Sequence, residues 1–265
     1  MSDTRAHPGS CLCGAVAFTA TGPLRDVLGC HCGQCRKTSG HYWAATSVPL
    51  ERFEITRDDG LAWYRSSATA ERGFCRRCGA SLFWKPEGEG RVAIAPGAFD
   101  DAPPFVLSGH IFTEDAGDYY AAEGPPPASG PASGPASGPA QAGLSCSCLC
   151  GDVAFSVAGP AGEVWACHCG QCRKLSGHYS ASFDVDEATV RYSAARSLAD
   201  YRTPGGGTRG FCARCGSSLW FRSAGGEFSV EAGCVDGPTG GHLARHIFTA
   251  FKGAYYAIDD GLPQE

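Results

Sequence analysis

Short apolar runs separated by polar and turn-forming residues dominate this chain. Val16-Ala17-Phe18-Thr19, Tyr42 to Val48, Phe53 to Thr56, Ala62 to Arg65, Ser81 to Trp84 and Val92 to Ala95 are rich in aromatic or β-branched residues, with clusters of Gly, Pro and Asp between them. Such runs predict strands, because branched and aromatic side chains pack well on a pleated surface while Gly, Pro and Asp suit turns. No segment keeps an apolar spacing of 3.6 residues over three turns, so no long amphipathic helix is expected. The most helix-like piece is Gly33 to Ser39, one or two turns long. The pattern predicts a mainly β fold with irregular loops.

The pattern also occurs twice. Ser10-Cys11-Leu12-Cys13-Gly14 returns as Ser147-Cys148-Leu149-Cys150-Gly151, and Cys30-His31-Cys32-Gly33-Gln34-Cys35-Arg36-Lys37 returns unchanged from Cys167 to Lys174. The offset is 137 residues through Trp84 and 136 beyond it, so one deletion relates the copies. Two repeats of ordinary domain length indicate a duplicated domain, not a solenoid. Residues 1–123 and 144–265 form the two domains, and residues 124–143, with three Ala-Ser-Gly-Pro units, form a linker. A stretch with so little to bury is expected to stay extended. Its reach, on the order of 25 Å for a flexible chain of about 20 residues, allows the copies either to pair about a pseudo-twofold axis or to stay apart.

Composition changes the picture at one point: 16 Cys stand against a single Met. A net charge of −5 offers no basic field for a phosphate backbone, so nucleic acid is not an expected partner. Neither a signal peptide nor an apolar run of the ~20 residues needed to cross a bilayer is visible, so no membrane association and a cytoplasmic location are expected. In that reducing compartment, dense cysteines favour metal ligation over disulfides.

Seven cysteines per copy fall into three groups: Cys11 and Cys13; Cys30, Cys32 and Cys35; Cys75 and Cys78. The second copy supplies Cys148 and Cys150; Cys167, Cys169 and Cys172; Cys212 and Cys215. Structural zinc takes four thiolates and catalytic zinc commonly three protein ligands, so seven divides into four and three, giving two zinc ions per domain and four per chain. The Cys75-x-x-Cys78 knuckle needs a second pair, which Cys11 and Cys13 can provide. That leaves the central trio, where residues i and i+2 of an extended segment face one ion and His31 faces away. An open fourth position is favoured there, with closure by His41 or His110 as the alternative. Disulfides are disfavoured, and so is an iron–sulfur cluster, whose usual cysteine spacings are absent. Cys146 reads as an exposed thiol at the edge of the linker, or as a substitute ligand. Cys234, opposite Ala98 in the repeat, reads as a small buried residue.

Ser-Cys-x-Cys-Gly-x-Val-x-Phe, Cys-His-Cys-x-x-Cys-Arg-Lys-x-Ser-Gly, Phe-Cys-x-x-Cys-Gly-x-Ser-Leu and His-Ile-Phe together resemble the glutathione-dependent formaldehyde-activating enzyme family, which includes centromere protein V. The resemblance covers nearly all of each copy. It implies a β-sheet tent fold, a structural zinc on the outer pairs, a second zinc on the central trio, and addition of glutathione to formaldehyde to give S-hydroxymethylglutathione. It makes Cys30, Cys32, Cys35, Cys167, Cys169 and Cys172 the catalytic cysteines of a carbon–sulfur lyase acting on a small-molecule thiol and aldehyde. A three-thiolate ion accepting a substrate thiol fits that chemistry. Arg36, Lys37, Arg173 and Lys174 offer charge for glutathione carboxylates, or are solvated turn residues. His31 and His168 are expected to hydrogen-bond locally in preference to shuttling protons, and His110 and His246 to be satisfied core residues. Where family members often carry Trp after His-Ile-Phe, this chain has Tyr119-Tyr120 and Tyr255-Tyr256, which suggests a changed pocket wall. A non-catalytic binding module and a zinc buffer or thiol sensor are the competing functions.

Overall fold

The computed structural model describes residues 5–122 and 143–265; apart from Gly143, the predicted linker lies outside them. In the first half, β1 (Ala6–Ser10), β2 (Ala17–Thr21) and β5 (Phe53–Arg57) form an antiparallel sheet in the order β1-β2-β5. A seven-stranded sheet contains β3 (Val27–Cys30), β4 (Trp43–Pro49), β6 (Leu61–Ser67), β7 (Ala70–Cys75), β8 (Ser81–Pro86), β9 (Arg91–Ile94) and β10 (Leu107–Ile111), in the order β10-β3-β4-β9-β8-β7-β6. Its one parallel pairing joins β10 to β3. The helix α1 (Gly33–Ser39) leaves the end of β3.

The second half repeats this plan with β11 (Leu144–Ser147), β12 (Val153–Val157) and β15 (Arg191–Ala195) in one sheet. Its larger sheet contains β13 (Glu163–Cys167), β14 (Ser180–Asp184), β16 (Leu198–Arg202), β17 (Thr208–Cys212), β18 (Ser218–Arg222), β19 (Phe228–Glu231) and β20 (His242–Ile247), and α2 (Gly170–Ser176) follows β13. Among the described residues no helix is long and apolar enough to cross a membrane.

Alternation along the strands builds each core. Phe18 on β2 is fully buried and meets Phe83 on β8 edge-on at 5.2 Å between ring centroids, which joins the small sheet to the large one. Halves of this size bury limited apolar area, and the cysteine clusters add to what holds each together.

The two halves pack as a pseudo-twofold pair, because each contact recurs with the roles exchanged. The Gly97 amide donates to the Gly177 carbonyl and the Gly233 amide to that of Gly40, both at 2.8 Å. Gly177 and Gly40 end α2 and α1 with φ of 85° and 86°, a left-handed turn that glycine adopts without a Cβ penalty. A Cβ at Gly97 would lie 2.3 Å from the Arg173 carbonyl, so the close approach also requires glycine. The tails cross over: the Leu107 amide donates to the Tyr255 carbonyl and the Leu243 amide to that of Tyr119, both at 2.7 Å.

A buried hydrogen-bonded ladder of histidines and tyrosines spans the axis. His41 bonds the Tyr119 and Tyr179 hydroxyls at 2.6 and 3.3 Å, and His178 bonds those of Tyr255 and Tyr42 at 2.5 and 2.7 Å. Burial first, and neighbouring imidazoles next, hold both histidines well below their ordinary range and therefore neutral. Because only the unfolded chain takes up these protons, stability falls as the pH drops below about 6.5. Replacing His41 by Phe strands the buried Tyr119 hydroxyl. The expected cost is about 2 kcal/mol in urea denaturation, with a shallower decline in acid.

Candidate metal and thiol site

Four cysteine clusters form. Cys11 and Cys13, just after β1, meet Cys75 at the end of β7 and Cys78 in the following turn; Cys148, Cys150, Cys212 and Cys215 meet likewise. In each quartet all sulfurs lie within 4.8 Å of one another. The separations include 3.6 Å for Cys11–Cys13, 3.7 Å for Cys13–Cys75, 3.5 Å for Cys148–Cys150 and 3.7 Å for Cys150–Cys212. A tetrahedral ion bonded at about 2.3 Å places its sulfurs about 3.8 Å apart, whereas a disulfide needs about 2.0 Å. The quartets therefore fit a tetrahedral thiolate metal.

The central clusters are trios. Cys30 ends β3, Cys32 precedes α1 and Cys35 lies in its first turn, with Cys30 Sγ and Cys32 Sγ 3.6 Å apart. Cys167, Cys169 and Cys172 are placed likewise. Among the described residues, no fourth histidine, cysteine or carboxylate joins either group. His41 is engaged in the tyrosine ladder, and His110 Nδ1 lies 2.9 Å from His31 Nε2, so neither closes the site. His31 turns away from the sulfurs onto the Tyr120 hydroxyl at 2.6 Å, and His168 onto that of Tyr256 at the same distance. Burial holds both imidazoles down to about 3, so they are neutral near pH 7 and do not relay protons as imidazolium.

An arginine backs each trio. Arg72 on β7 donates to Cys35 Sγ at 3.4 Å and Arg209 on β17 to Cys172 Sγ at 3.2 Å, and both arginines are buried. A guanidinium against sulfur favours thiolate. Hydrogen bonds among the neighbouring thiols pull Cys32 and Cys169 down and push Cys30 and Cys167 up, because three crowded sulfurs do not all ionise without a cation between them.

Over the first trio lies a cavity of about 890 Å³. That volume suits a ligand of peptide size. Trp43, Trp84, Ile111 and Phe112 give it apolar walls, and Arg25, Arg72, Arg91 and Asp115 bring charge. Phe112 adopts φ of 55°, and Phe248, its counterpart, 58°. For a bulky side chain this left-handed backbone costs of order 1 kcal/mol, and Phe112 is one of the residues that line the cavity.

Three expectations are corrected. Lys37 is tied to Asp236 Oδ1 at 2.5 Å and to Ser147, and Lys174 to Asp100 at 2.5 Å, so both lysines clamp the halves together instead of facing a substrate. Neither Arg36 nor Lys37 lines the cavity; Tyr119 belongs to the interdomain ladder and Tyr120 bonds His31 of its own half, and neither ring lines the cavity. Cys146 is buried, bridging Val235 beside Cys234, because β11 continues the small sheet through it. Cys234 is fully buried as expected.

The glutathione-dependent formaldehyde-activating enzyme family matches residues 6–115 and 143–250. The chain belongs to this family. As a glutathione-dependent formaldehyde-activating enzyme family protein it carries the family's unit twice, on two similar seven-stranded sheets. It is 26% identical over 115 residues to a Schizosaccharomyces pombe protein described as an uncharacterised lyase, a match covering 43% of this chain and 83% of that one. A crystal structure of a Rhodobacter sphaeroides protein matches 37% of this chain and 91% of its own, with 24% identity and a TM-score of 0.32. Family membership and the lyase-named relative support a lyase-like role.

Repetition was the signal for Arg72. Arg-Gly-Phe-Cys precedes the knuckle in both copies, as Arg72 to Cys75 and Arg209 to Cys212. Arg25, Arg91 and Asp115 lack a like counterpart, so repetition does not mark them.

Proposed function

We propose that the protein is a zinc-dependent carbon–sulfur lyase that joins a small thiol, glutathione in the first instance, to formaldehyde or a similar small aldehyde. The observation that carries this reading is a three-sulfur cluster with no fourth protein ligand, opening into a cavity of peptide size. Cys30, Cys32 and Cys35, and their counterparts Cys167, Cys169 and Cys172, would hold a zinc ion, which would lower the pKa of a substrate thiol.

The chain's own residues do the rest. Arg72 draws negative charge from Cys35 and fixes that sulfur. Trp43 and Trp84 exclude water beside the reacting sulfur, and Arg25 and Arg91 reach for carboxylates. Asp115 lines the same cavity, and burial first and Glu114 next raise its carboxyl above the ordinary range, which suits it to take the thiol proton. The S–H proton passes to Asp115 and from there to solvent, sulfur bonds to the carbonyl carbon as the C=O π bond opens, and the carbonyl oxygen takes up one proton from solvent.

The test is the rate of exchange between glutathione, formaldehyde and their adduct, followed by NMR with zinc-loaded protein. Saturable acceleration that disappears with the central cysteines is expected. A rate equal to that of the buffer alone rejects the proposal.

A further inference from the structure

The central trios are alike, but the walls around them are not. Along the repeat, Arg25 corresponds to Gly162, Ser47 to Asp184, Arg91 to Glu227 and Asp115 to Phe251. The sheet register supports this correspondence: Ser47 pairs with Ala93 across β4 and β9, and Asp184 with Ser229 across β14 and β19.

In the first half Arg25 and Arg91 approach closely enough that Arg91, after burial, holds the Arg25 guanidinium below its ordinary range. Arg91 lies over Trp84 at 5.3 Å and meets only the exposed Glu89. Two like charges at the wall of one cavity repel, and an anion placed between them relieves the repulsion.

In the second half the signs are reversed. Asp184 on β14 pairs with Ser229 on β19, and the Val185 amide donates to the carbonyl of Phe228, which places Asp184 beside the stretch that begins with Glu227; burial and then Glu227 hold the Asp184 carboxyl up. Arg209, the counterpart of Arg72, is neutralised from behind by Glu231, which lies 3.7 Å away, is fully buried and accepts from Ser180 Oγ at 2.5 Å. First-half residues at those two positions are Ala95 and Trp43, so Arg72 has no such counterion there. Two cations are gained on this side: Arg245, over Trp165, is shared between Glu163 at 3.3 Å and Glu265 at 3.5 Å, and Lys252, where the first half has Ala116, lies over the Tyr256 ring at 5.1 Å and donates to the Tyr256 carbonyl at 2.6 Å.

We propose that the two thiol sites have opposite charge selectivity: the first takes a carboxylate-bearing thiol such as glutathione, and the second takes a cationic thiol without a carboxylate, of the aminothiol class. The duplication then gives one protein two thiol-binding sites of opposite charge preference, of which the first also carries the Asp115 carboxyl and the second has Phe251 in its place. This rests on the reading of each trio as a thiol site.

Calorimetric titration of the zinc-loaded full chain with glutathione and with cysteamine, in the absence of aldehyde, tests it. One tight equivalent of each thiol is expected, with about tenfold weaker binding of each at the other's site. Cys169→Ser should leave a site that prefers glutathione by about tenfold, and Cys32→Ser one that prefers cysteamine by a similar factor. With every cysteine kept, Arg25→Gln with Arg91→Glu should abolish tight glutathione binding, and Asp184→Ser with Glu227→Arg should raise glutathione binding to two equivalents. Two equivalents of glutathione of equal affinity on the unaltered chain, or preferences that ignore these charge exchanges, would overturn the proposal while leaving the thiol sites intact. Binding of neither thiol would instead sink the reading of the trios on which it rests.

Discussion

Cys78→Ser is expected to unfold the first half and to lower the melting temperature of the whole chain by more than about 10 °C. A structural zinc contributes on the order of 10–16 kcal/mol to folding where no site exists in the unfolded chain, and a domain's net stability is about 5–15 kcal/mol. Losing one of four thiolates from a fully wrapped ion removes enough of that contribution to cost several kcal/mol, and each kcal/mol is worth a few degrees in a protein of this size. The damage spreads because the halves interlock: Tyr255 packs into the core of the first half and Tyr119 into that of the second. Differential scanning calorimetry with zinc quantification should show the loss of at least one ion and a single broad transition at lower temperature. An unchanged melting temperature would mean that the quartet does not hold the fold.

The trios should behave differently. Cys32→Ser combined with Cys169→Ser is expected to remove the two central ions and to slow adduct formation by about 10²- to 10³-fold, with circular dichroism and melting little changed. Ordinary thiols with a pKa near 8.5 are only a few per cent ionised at neutral pH, so full ionisation supplies roughly 30-fold, and holding thiolate and aldehyde together supplies the rest. Each trio lies at one end of β3 or β13 beside a short helix, whereas the quartets join distant segments, so the trios tie down less of the chain. A double variant as active as the unaltered chain would remove the catalytic role of these cysteines.

Much of this was legible in the sequence because the informative residues are few and repeated. The β content followed from the runs around Phe18, Tyr42 and Ser81, the short helix from Gly33 to Ser39, and the grouping of the sulfurs from three distinct spacings seen twice. What stayed hidden depended on tertiary approach. β3 and β10 carry Gly29 and Gly109 and little alternation, so their parallel pairing, which brings His110 to His31, leaves no mark in local pattern. The family resemblance suggested a pocket wall at Tyr119-Tyr120, but Tyr119 packs into the second half's core with its hydroxyl on His41, and Tyr120 bonds His31, which faces away from the trio's sulfurs. Lys37 follows the cysteine trio in sequence, yet the helical turn swings it across the axis to Asp236. Burial of Cys146 required knowing that β11 pairs with β12.

The account depends most on an unsaturated central ion beside a saturated one. Zinc quantification with X-ray absorption at the zinc edge measures both at once. About four ions per chain are predicted, with a mean of about three and a half sulfur ligands each, rising to about four when glutathione and cysteamine are added together. Two ions per chain, or four sulfurs per ion before any thiol is added, would contradict it.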